Sequence, residues 1–254
     1  MSVVSETSCR RNVFSRNVLT AQTIHANELL LRLPRKEIQI IRRKLELVPL
    51  PLHAVLNAAG KRIEYGYFVN SGLASILTVL KSGKIVEVGI SGAEGFVGLP
   101  LVAGLKTSGG RVIVQVAGSG LRIRARDVAL VLAKCPVLRR RLQRYAHEVG
   151  AQAAQIAACN RLHNSKQRLA RWLLMSQDRM KGVYVDLTHE FLAHMLGMRR
   201  AGVSVAMWQL RKAGIVAYSR GGAKILDRAR LEAASCECYA EMNEVGRAWS
   251  RESR

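Results

Sequence analysis

Within residues 29–43 the apolar positions recur three and four residues apart, which predicts two short helices. Pro34 marks the start of the second helix, because its ring presets the backbone angle φ of a first helical turn. Residues 1–26 come before these helices and contain mainly polar and small residues. They predict a loose polar lead-in.

Beyond Pro51 the pattern changes to short β-branched and aromatic runs separated by glycine-containing turns. The predicted strands are 62–69, 73–80, 84–90, 111–117 and 121–124. Runs about 8 to 12 residues apart are typical of an antiparallel sandwich or barrel. Residues 27–135 are therefore predicted to form a β domain.

Residues 136–180 contain one glycine and predict a long helical stretch, of which 136–160 would be a dimerisation helix. Its apolar residues form one stripe at helical spacing: Leu138, Leu142, Tyr145, Val149, Ala153, Ile156 and Cys159. One alternative is that the stripe packs only against the β domain of its own chain. The interpretation favoured from the sequence is that it also packs against the same helix of a second subunit.

Residues 187–215 predict two short helices joined by a tight turn. Thr188 suits the N-cap of the first helix, and Gly197 can adopt the left-handed conformation that a sharp turn needs. The second helix would run from Arg200 to Gly214, followed by a β-hairpin over 215–226. This order is a helix-turn-helix with a wing.

At about 100° per residue the second helix turns one face away from its buried side, where it can enter a DNA major groove. The predicted base-reading residues are Arg199, Arg200, Ala201, Ser204 and Val205. The predicted phosphate contacts are Thr188, Gln209, Lys212, Arg220 and Lys224. Trp208 lies on the same face and could either contact bases or cover the wing.

Composition supports a nucleic-acid partner. The 254 residues include 40 Lys and Arg against 18 Asp and Glu, a formal charge of +22 that favours polyanions, nucleic acid before an anionic membrane. The 49% of hydrophobic residues is enough for two cores. No apolar run approaches the roughly 20 residues of a membrane span, and five irregularly spaced cysteines favour a reducing cytoplasm.

The sequence gives no sign of catalysis, and no metal or cofactor is predicted. Paired carboxylates, a Walker loop and a nucleophile elbow are absent from the sequence. Cys236 and Cys238 are interpreted as reduced, structurally minor cysteines, because their spacing differs from zinc knuckles and no histidine follows nearby. His163, His189 and His194 are interpreted as helix-surface residues.

The order of parts resembles the Crp/Fnr family of bacterial transcription regulators. The most specific motifs are RLARWLL at 168–174, Leu196-Gly197, Arg200, Val203-Ser204 and Gly214-Ile215, with FVNSG at 68–72 and EGFVG at 94–98 in the β domain. The resemblance implies an α+β chain with an N-terminal double-stranded β-helix, or jelly-roll, sensor domain. It also implies a long dimerisation helix, a winged helix-turn-helix over 161–235 and a C-terminal tail over 236–254. RNA polymerase is a candidate partner beside double-stranded DNA, and Arg200 would read a guanine.

The chain also departs from that family. Gly98 is followed by Leu99, where relatives that bind cyclic AMP carry a glutamate for the ribose, and Arg111 is the remaining candidate anion anchor. Gly98, Leu99 and Arg111 therefore predict an effector pocket for an unknown small molecule other than cyclic AMP. Cys9 stands apart from the other cysteines, which does not support the iron-sulfur cluster of oxygen-sensing relatives.

Three functions follow as hypotheses. The first is a homodimeric transcription regulator that binds a near-palindromic operator. The second is a basic architectural DNA-binding protein with a degenerate sensor domain. An enzyme acting on nucleic acid is a remote third, because nothing in the sequence would perform the chemistry.

Overall fold

A computed structural model describes residues 20–180, 184–186, 188–219 and 222–251. The chain enters through three short helices, α1 (Ala21–His25), α2 (Glu28–Leu31) and α3 (Arg35–Arg42). Pro34 is the N-cap of α3, as predicted. The predicted lead-in is wrong where it overlaps α1, since Ile24 is buried in the core of the β domain. Residues 1–19, including Cys9, lie outside the described residues.

The β domain is one antiparallel sheet with the strand order β1-β6-β3-β4. Strand β2 pairs with β6, strand β5 pairs with β3, and a short 3₁₀ helix (Leu99–Ala103) follows β5. The strands are β1 (Leu45–Leu50), β2 (Val55–Asn57), β3 (Tyr65–Val79), β4 (Ile85–Ser91), β5 (Phe96–Val97) and β6 (Arg111–Arg124). Strand β1 was not predicted, since Pro49 argues against a central strand. Pro49 is tolerated within β1 because this strand lies at the edge of the sheet and pairs on one side only.

Two predicted glycine turns are wrong, because β3 and β6 continue through them as long bent strands. Gly72 has φ +84° and lies where the β3–β6 register shifts, so it is a bulge in β3. A Cβ on Gly118 would lie 2.1 Å from the carbonyl oxygen of Ser71. Glycine there allows close approach of two backbones rather than a reversal of the chain.

The predicted helical stretch 136–180 consists of two helices that follow α4 (Ala125–Lys134): α5 (Pro136–Leu162) and α6 (Ser165–Met180). His163 is extended, with ψ 150°. Asn164 starts α6 by a reciprocal cap, in which its side-chain oxygen accepts from the Gln167 amide and Gln167 accepts from the Asn164 amide. The prediction of one continuous helix is therefore wrong, because the cap at Asn164 stabilises the start of a new helix instead of the continuation of α5.

Most of the apolar stripe of α5 is buried by other residues of the same chain. Leu138, Leu142 and Tyr145 are buried in the β-domain core, and Ile156 and Cys159 are buried further along the helix. Val149 and Ala153 of the stripe are half-buried, and contact between this stripe and a second subunit stays a prediction. The opposite, exposed face of α5 carries other residues: Gln143, His147, Gly150, Ala154, Ala157, Ala158 and Arg161.

The C-terminal part combines a three-stranded sheet, ordered β7-β9-β8, with four helices. Its elements are β7 (Tyr184–Asp186), α7 (His189–Leu196), α8 (Arg200–Lys212), β8 (Val216–Ser219), β9 (Gly222–Ile225), α9 (Arg228–Ala234) and α10 (Cys238–Arg251). The predicted tail over 236–254 is wrong, because α10 packs against α5 and α6. Tyr239 is buried there and donates a 2.8 Å hydrogen bond to Asp178.

One hydrophobic cluster crosses from the β domain into the C-terminal part. Leu73, Leu77 and Ile90 of the sheet pack in the same cluster as Trp172 and Leu173 of α6. The β domain therefore sets the position of α6, against which α8 packs. In the described part of the chain no helix is both long and apolar enough to span a membrane.

Candidate nucleic-acid interface

Helices α7 and α8 form the predicted helix-turn-helix. The Thr188 hydroxyl caps α7 by accepting a 3.1 Å hydrogen bond from the Phe191 amide. Gly197 ends α7 in the left-handed conformation, with φ +57°. The two helices bury complementary faces: Leu192, Met195 and Leu196 on α7, and Val203, Ala206, Met207 and Leu210 on α8. The turn chemistry is the one that the sequence predicts.

Two contacts from outside this motif hold its turn in place. The buried guanidinium of Arg168 on α6 donates to the carbonyl of Leu196, the last residue of α7. A Cβ on Gly197 would lie 3.0 Å from Val86 of β4, so the turn approaches the β domain closely. The sequence did not single out Arg168 for this role; its signal was a place in the RLARWLL motif.

The outward face of α8 is open. Ala201, Val205, Trp208, Gln209 and Lys212 are all exposed, Val205 and Trp208 by 56% and 57%. The Lys212 ammonium lies 5.0 Å from the centre of the Trp208 ring and covers one of its faces. These exposures agree with the projection from the sequence. The roles of the individual residues in base reading stay predictions.

Ser204 lies at the edge of this face and is already hydrogen-bonded within the motif. Its hydroxyl donates to the Arg200 carbonyl at 3.1 Å and lies 3.0 Å from Nδ1 of His189. The His189 ring stacks on Tyr218 of β8 at 4.7 Å. Burial, and secondarily the charge of Arg200, lower the pKa of His189. The interpretation of His189 as a surface residue is wrong, because it joins α7, α8 and the wing.

The cations predicted to surround the face are placed as follows. Arg199 is the N-cap of α8, Arg200 is its first residue, and both side chains are exposed. Lys224 is exposed on β9, the second strand of the wing. Arg220 lies outside the described residues. The interface therefore combines a small, partly apolar ridge with cations at its entry and on its wing, which suits a groove between phosphates.

Comparison with known proteins gives one family match. A family model described as the Crp-like helix-turn-helix domain matches residues 167–234. The chain carries a Crp-like helix-turn-helix domain. The match begins in α6 and ends in α9, so the Crp-like domain includes α7, α8 and the hairpin strands β8 and β9. A comparison with curated proteins gives no match.

Solved structures share the fold of about three quarters of this chain at low sequence identity. FixK2 from Bradyrhizobium japonicum is 16% identical, with a TM-score of 0.65 over 76% of this chain and 98% of its own. A c-di-GMP-responsive global regulator from Xanthomonas campestris is 14% identical, with a TM-score of 0.62 over 74% and 97%. A Crp/Fnr-family regulator from Thermus thermophilus is 19% identical, with a TM-score of 0.60 over 75% and 98%.

These matches confirm the resemblance to Crp/Fnr regulators and the α+β fold class. A jelly-roll-type β domain, a long helix and the Crp-like domain follow one another in the predicted order. The structures from Xanthomonas campestris and Thermus thermophilus are described as regulators, in agreement with the expectation from the sequence that the chain resembles a regulator rather than an enzyme.

The residues predicted to form an effector pocket lie at the start of the 3₁₀ helix and at the start of β6. Gly98 has φ +111° and packs against Gly66 near the start of β3. Arg111 pairs with Leu77, near the other end of the same strand, and its buried Nε has no hydrogen-bond partner. Leu99 is half-buried at the start of the 3₁₀ helix. The effector pocket built from these three residues stays a prediction.

A shallow basic groove opens elsewhere on the β domain. Its lining is Arg43, Lys44, Glu46, Tyr65, Arg122, Arg124, Arg126 and Asp127. Arg122 forms two 2.9 Å hydrogen bonds with Glu46 and lies 4.5 Å from the centre of the Tyr65 ring. Lys44 pairs with Asp127 at 2.9 Å. Carboxylates therefore neutralise part of this groove, and it contains none of the predicted effector residues.

The structure corrects the interpretation of the C-terminal cysteines. Cys159 and His163, at the end of α5, lie beside Cys236 and Cys238, and the four candidate ligand atoms are all within 4.8 Å of one another. A hydrogen bond from the Cys236 thiol lowers the pKa of Cys159. The signal missed in the sequence is the spacing of Cys159 and His163, one helical turn apart.

Proposed function

We propose that the protein is a homodimeric transcription regulator that binds a near-palindromic operator, with α8 of each subunit in a major groove. The observation that carries the proposal is the open face of α8. Arg199 and Arg200 stand at its entry, and the small side chains of Ala201 and Val205 let the helix approach base edges. An arginine can bond a guanine bidentately, and an alanine or valine can contact a thymine methyl.

Charge supports DNA as the partner. The net charge of +22 favours association with a polyanion, and the exposed cations on and beside α8 are Arg199, Arg200, Arg211, Lys212 and Lys224. Contacts from such residues to phosphates orient a protein on the duplex without reading its sequence. Base reading then depends on the residues between them. Thr188 would add a phosphate contact at the α7 N-terminus, and Gln209 another from α8.

The exposed face of α5 supports the dimer. His147, Gly150, Ala154 and Ala157 recur at intervals of three and four residues, the period of a coiled-coil seam, and three of them are small. Two copies of a 27-residue helix, about 40 Å long, can pack closely along such a face. A two-fold axis there would present two α8 helices to half-sites roughly 34 to 36 Å apart.

In this proposal the β domain is the sensor part, and its effector is not cyclic AMP. Leu99 offers no acceptor for a ribose hydroxyl. An effector that tightens DNA binding must itself bind more tightly to the DNA complex, because the coupling free energy is reciprocal. RNA polymerase would be the further partner of a DNA-bound activator.

Selection from a random DNA pool at physiological salt tests the proposal. We expect an inverted repeat with half-sites one helical turn apart. Val205→Glu, which places a carboxylate against the groove, should abolish enrichment. Ala229→Glu, an equal charge change at an exposed site on α9, should leave it intact. Enrichment of no sequence, with similar affinity for all fragments, would instead support the architectural DNA-binding protein.

A further inference from the structure

We propose that Cys159, His163, Cys236 and Cys238 bind one zinc ion, which joins the end of α5 to the start of α10. The three cysteines are buried and His163 is half-buried. The two pairs come from segments about seventy residues apart in sequence, so the fold itself creates the cluster. None of the four residues belongs to α7 or α8, so this proposal is independent of the proposed base reading.

Two ligand–ligand distances match those of a mononuclear tetrahedral site, and all four ligand atoms lie within 4.8 Å of one another. The Sγ atoms of Cys159 and Cys236 are 3.5 Å apart, and Sγ of Cys238 is 3.5 Å from Nδ1 of His163. Zinc bonds of about 2.3 Å to sulfur and 2.0 Å to nitrogen place tetrahedral ligands about 3.5 to 3.8 Å from one another. A polynuclear iron-sulfur cluster would hold its cysteines farther apart, because several irons and sulfides lie between them.

Neighbouring groups orient the ligands as metal sites require. With Nδ1 of His163 toward the cysteines, its Nε2 lies 3.1 Å from a carboxylate oxygen of Glu237. A carboxylate on the far nitrogen fixes the tautomer and orientation of a metal-binding histidine. The Gln155 amide donates a 3.2 Å hydrogen bond to Sγ of Cys238, a contact that stabilises a thiolate. Glu237 and Gln155 are positioning residues in this arrangement.

A buried cation beside the cluster points to negative charge on it. Arg171 is 2% exposed, donates to the weak acceptor Sδ of Met175 at 3.1 Å, and has a buried Nε without a partner. No ion pair with a carboxylate is formed by Arg171 in the described part of the chain. Its charge acts on Cys159 and also on Glu87. Three thiolates, a neutral histidine and Zn²⁺ carry a net charge of −1, which Arg171 would balance.

Four protein ligands fill a tetrahedron and leave no open position, so this zinc would be structural rather than catalytic. Its position gives it a specific effect. His163 is the residue that ends α5, and the next residue caps α6, which begins the Crp-like domain. The ion would therefore fix α10 to α5 at the connection between the long helix and the Crp-like domain.

Zinc content and cobalt substitution of the full-length protein test this proposal. Protein prepared with reductant and Zn²⁺, then dialysed, should retain about one zinc per chain. After zinc removal, Co²⁺ should give the intense visible bands of a tetrahedral thiolate site and sulfur-to-cobalt charge transfer. Cys238→Ser should lower Zn²⁺ affinity at least about 100-fold, since even outer hydrogen-bond partners of a ligand are worth 10- to 100-fold.

Cys135→Ser is the matched control, because Cys135 is also buried and free but lies in the β-domain core. It should retain zinc and the tetrahedral cobalt spectrum. The proposal is overturned if folded, reduced wild-type protein binds neither metal, or if Cys135→Ser loses both as well. It is equally overturned if the reduced protein gives only the pale spectrum of octahedral Co²⁺. Wild-type spectra decide these outcomes even if Cys238→Ser fails to fold.

Discussion

The indole nitrogen of Trp172 donates a 2.7 Å hydrogen bond to Oε1 of Glu87, across the boundary between α6 and strand β4. Oε2 of the same carboxyl accepts a 2.7 Å hydrogen bond from Ser75 of β3. All three side chains are buried. Burial raises the pKa of Glu87 to about 7, against the lowering effect of these two hydrogen bonds. A titratable group therefore lies at the join between the β domain and the Crp-like domain.

Glu87→Gln should change how stability depends on pH. The folded chain keeps a proton on Glu87 that the unfolded chain releases above about pH 4.5, so this stabilisation is full below pH 4.5 and is lost as pH rises through 7. Between pH 5 and pH 8 the wild type should lose up to about 3 kcal/mol relative to the variant. Denaturant unfolding of both proteins at the two pH values measures the difference. If the free energy of unfolding changes equally with pH in both proteins, groups other than Glu87 cause the pH dependence.

Gly202→Ala should stabilise the protein by about 0.5 to 1 kcal/mol, because glycine costs backbone entropy inside a helix. The added Cβ would lie 3.5 Å from Oγ of Ser165, an ordinary contact, so the structure gives no packing reason for glycine in α8. Gly197→Ala is the contrasting variant. Its φ of +57° and a 3.0 Å approach to Val86 should make it destabilising by about 1 kcal/mol or more. Thermal unfolding separates the two signs.

Arg200→Ala should weaken binding to the selected operator by about 1 to 3 kcal/mol and relax selectivity at one guanine. Lys224→Ala should weaken binding equally to all sequences and reduce the salt slope by about one, as expected for a phosphate contact. Titrations of matched and mutated operators at several salt concentrations distinguish these patterns. If Arg200→Ala keeps the affinity and the base preference of the wild type, Arg200 does not read a base.

Ala154→Glu should convert a dimer to a monomer. Ala154 is exposed on the small-residue face of α5, and its substitution would place two carboxylates against each other across a two-fold axis. Sedimentation should show the change in mass, and binding to a full operator should fall while weak half-site binding remains. Ala229→Glu again supplies the control for charge alone. If the variant stays dimeric, the dimer interface lies elsewhere on the protein.

The sequence predicted what depends on local chemistry. Caps and left-handed glycines are local, so Pro34, Thr188 and Gly197 located α3, α7 and the turn between α7 and α8. Helical projection depends only on the pitch, so the exposed positions Ala201 and Val205 of α8 were also predicted correctly. These residues are the ones on which the proposed DNA interface depends.

What the sequence could not predict depends on long-range packing. Gly72 reads as a turn residue, and only its pairing with β6 reveals a bulge. The stripe of α5 shows a buried face without showing that the same chain buries it. Cys159 and Cys236 become neighbours only when α10 folds back onto α5. Each of these cases concerns which partner a residue meets, which is a property of the tertiary structure.

The shared packing of Leu73, Leu77 and Ile90 with Trp172 has a consequence for dissecting the molecule. A fragment that begins at α6 would expose the apolar surface around Trp172 to water. The β domain left behind would expose the sheet residues that cover this surface. The Crp-like domain is thus not a self-contained unit. Grafting it onto another regulator would also require transferring the sheet residues that pack against α6.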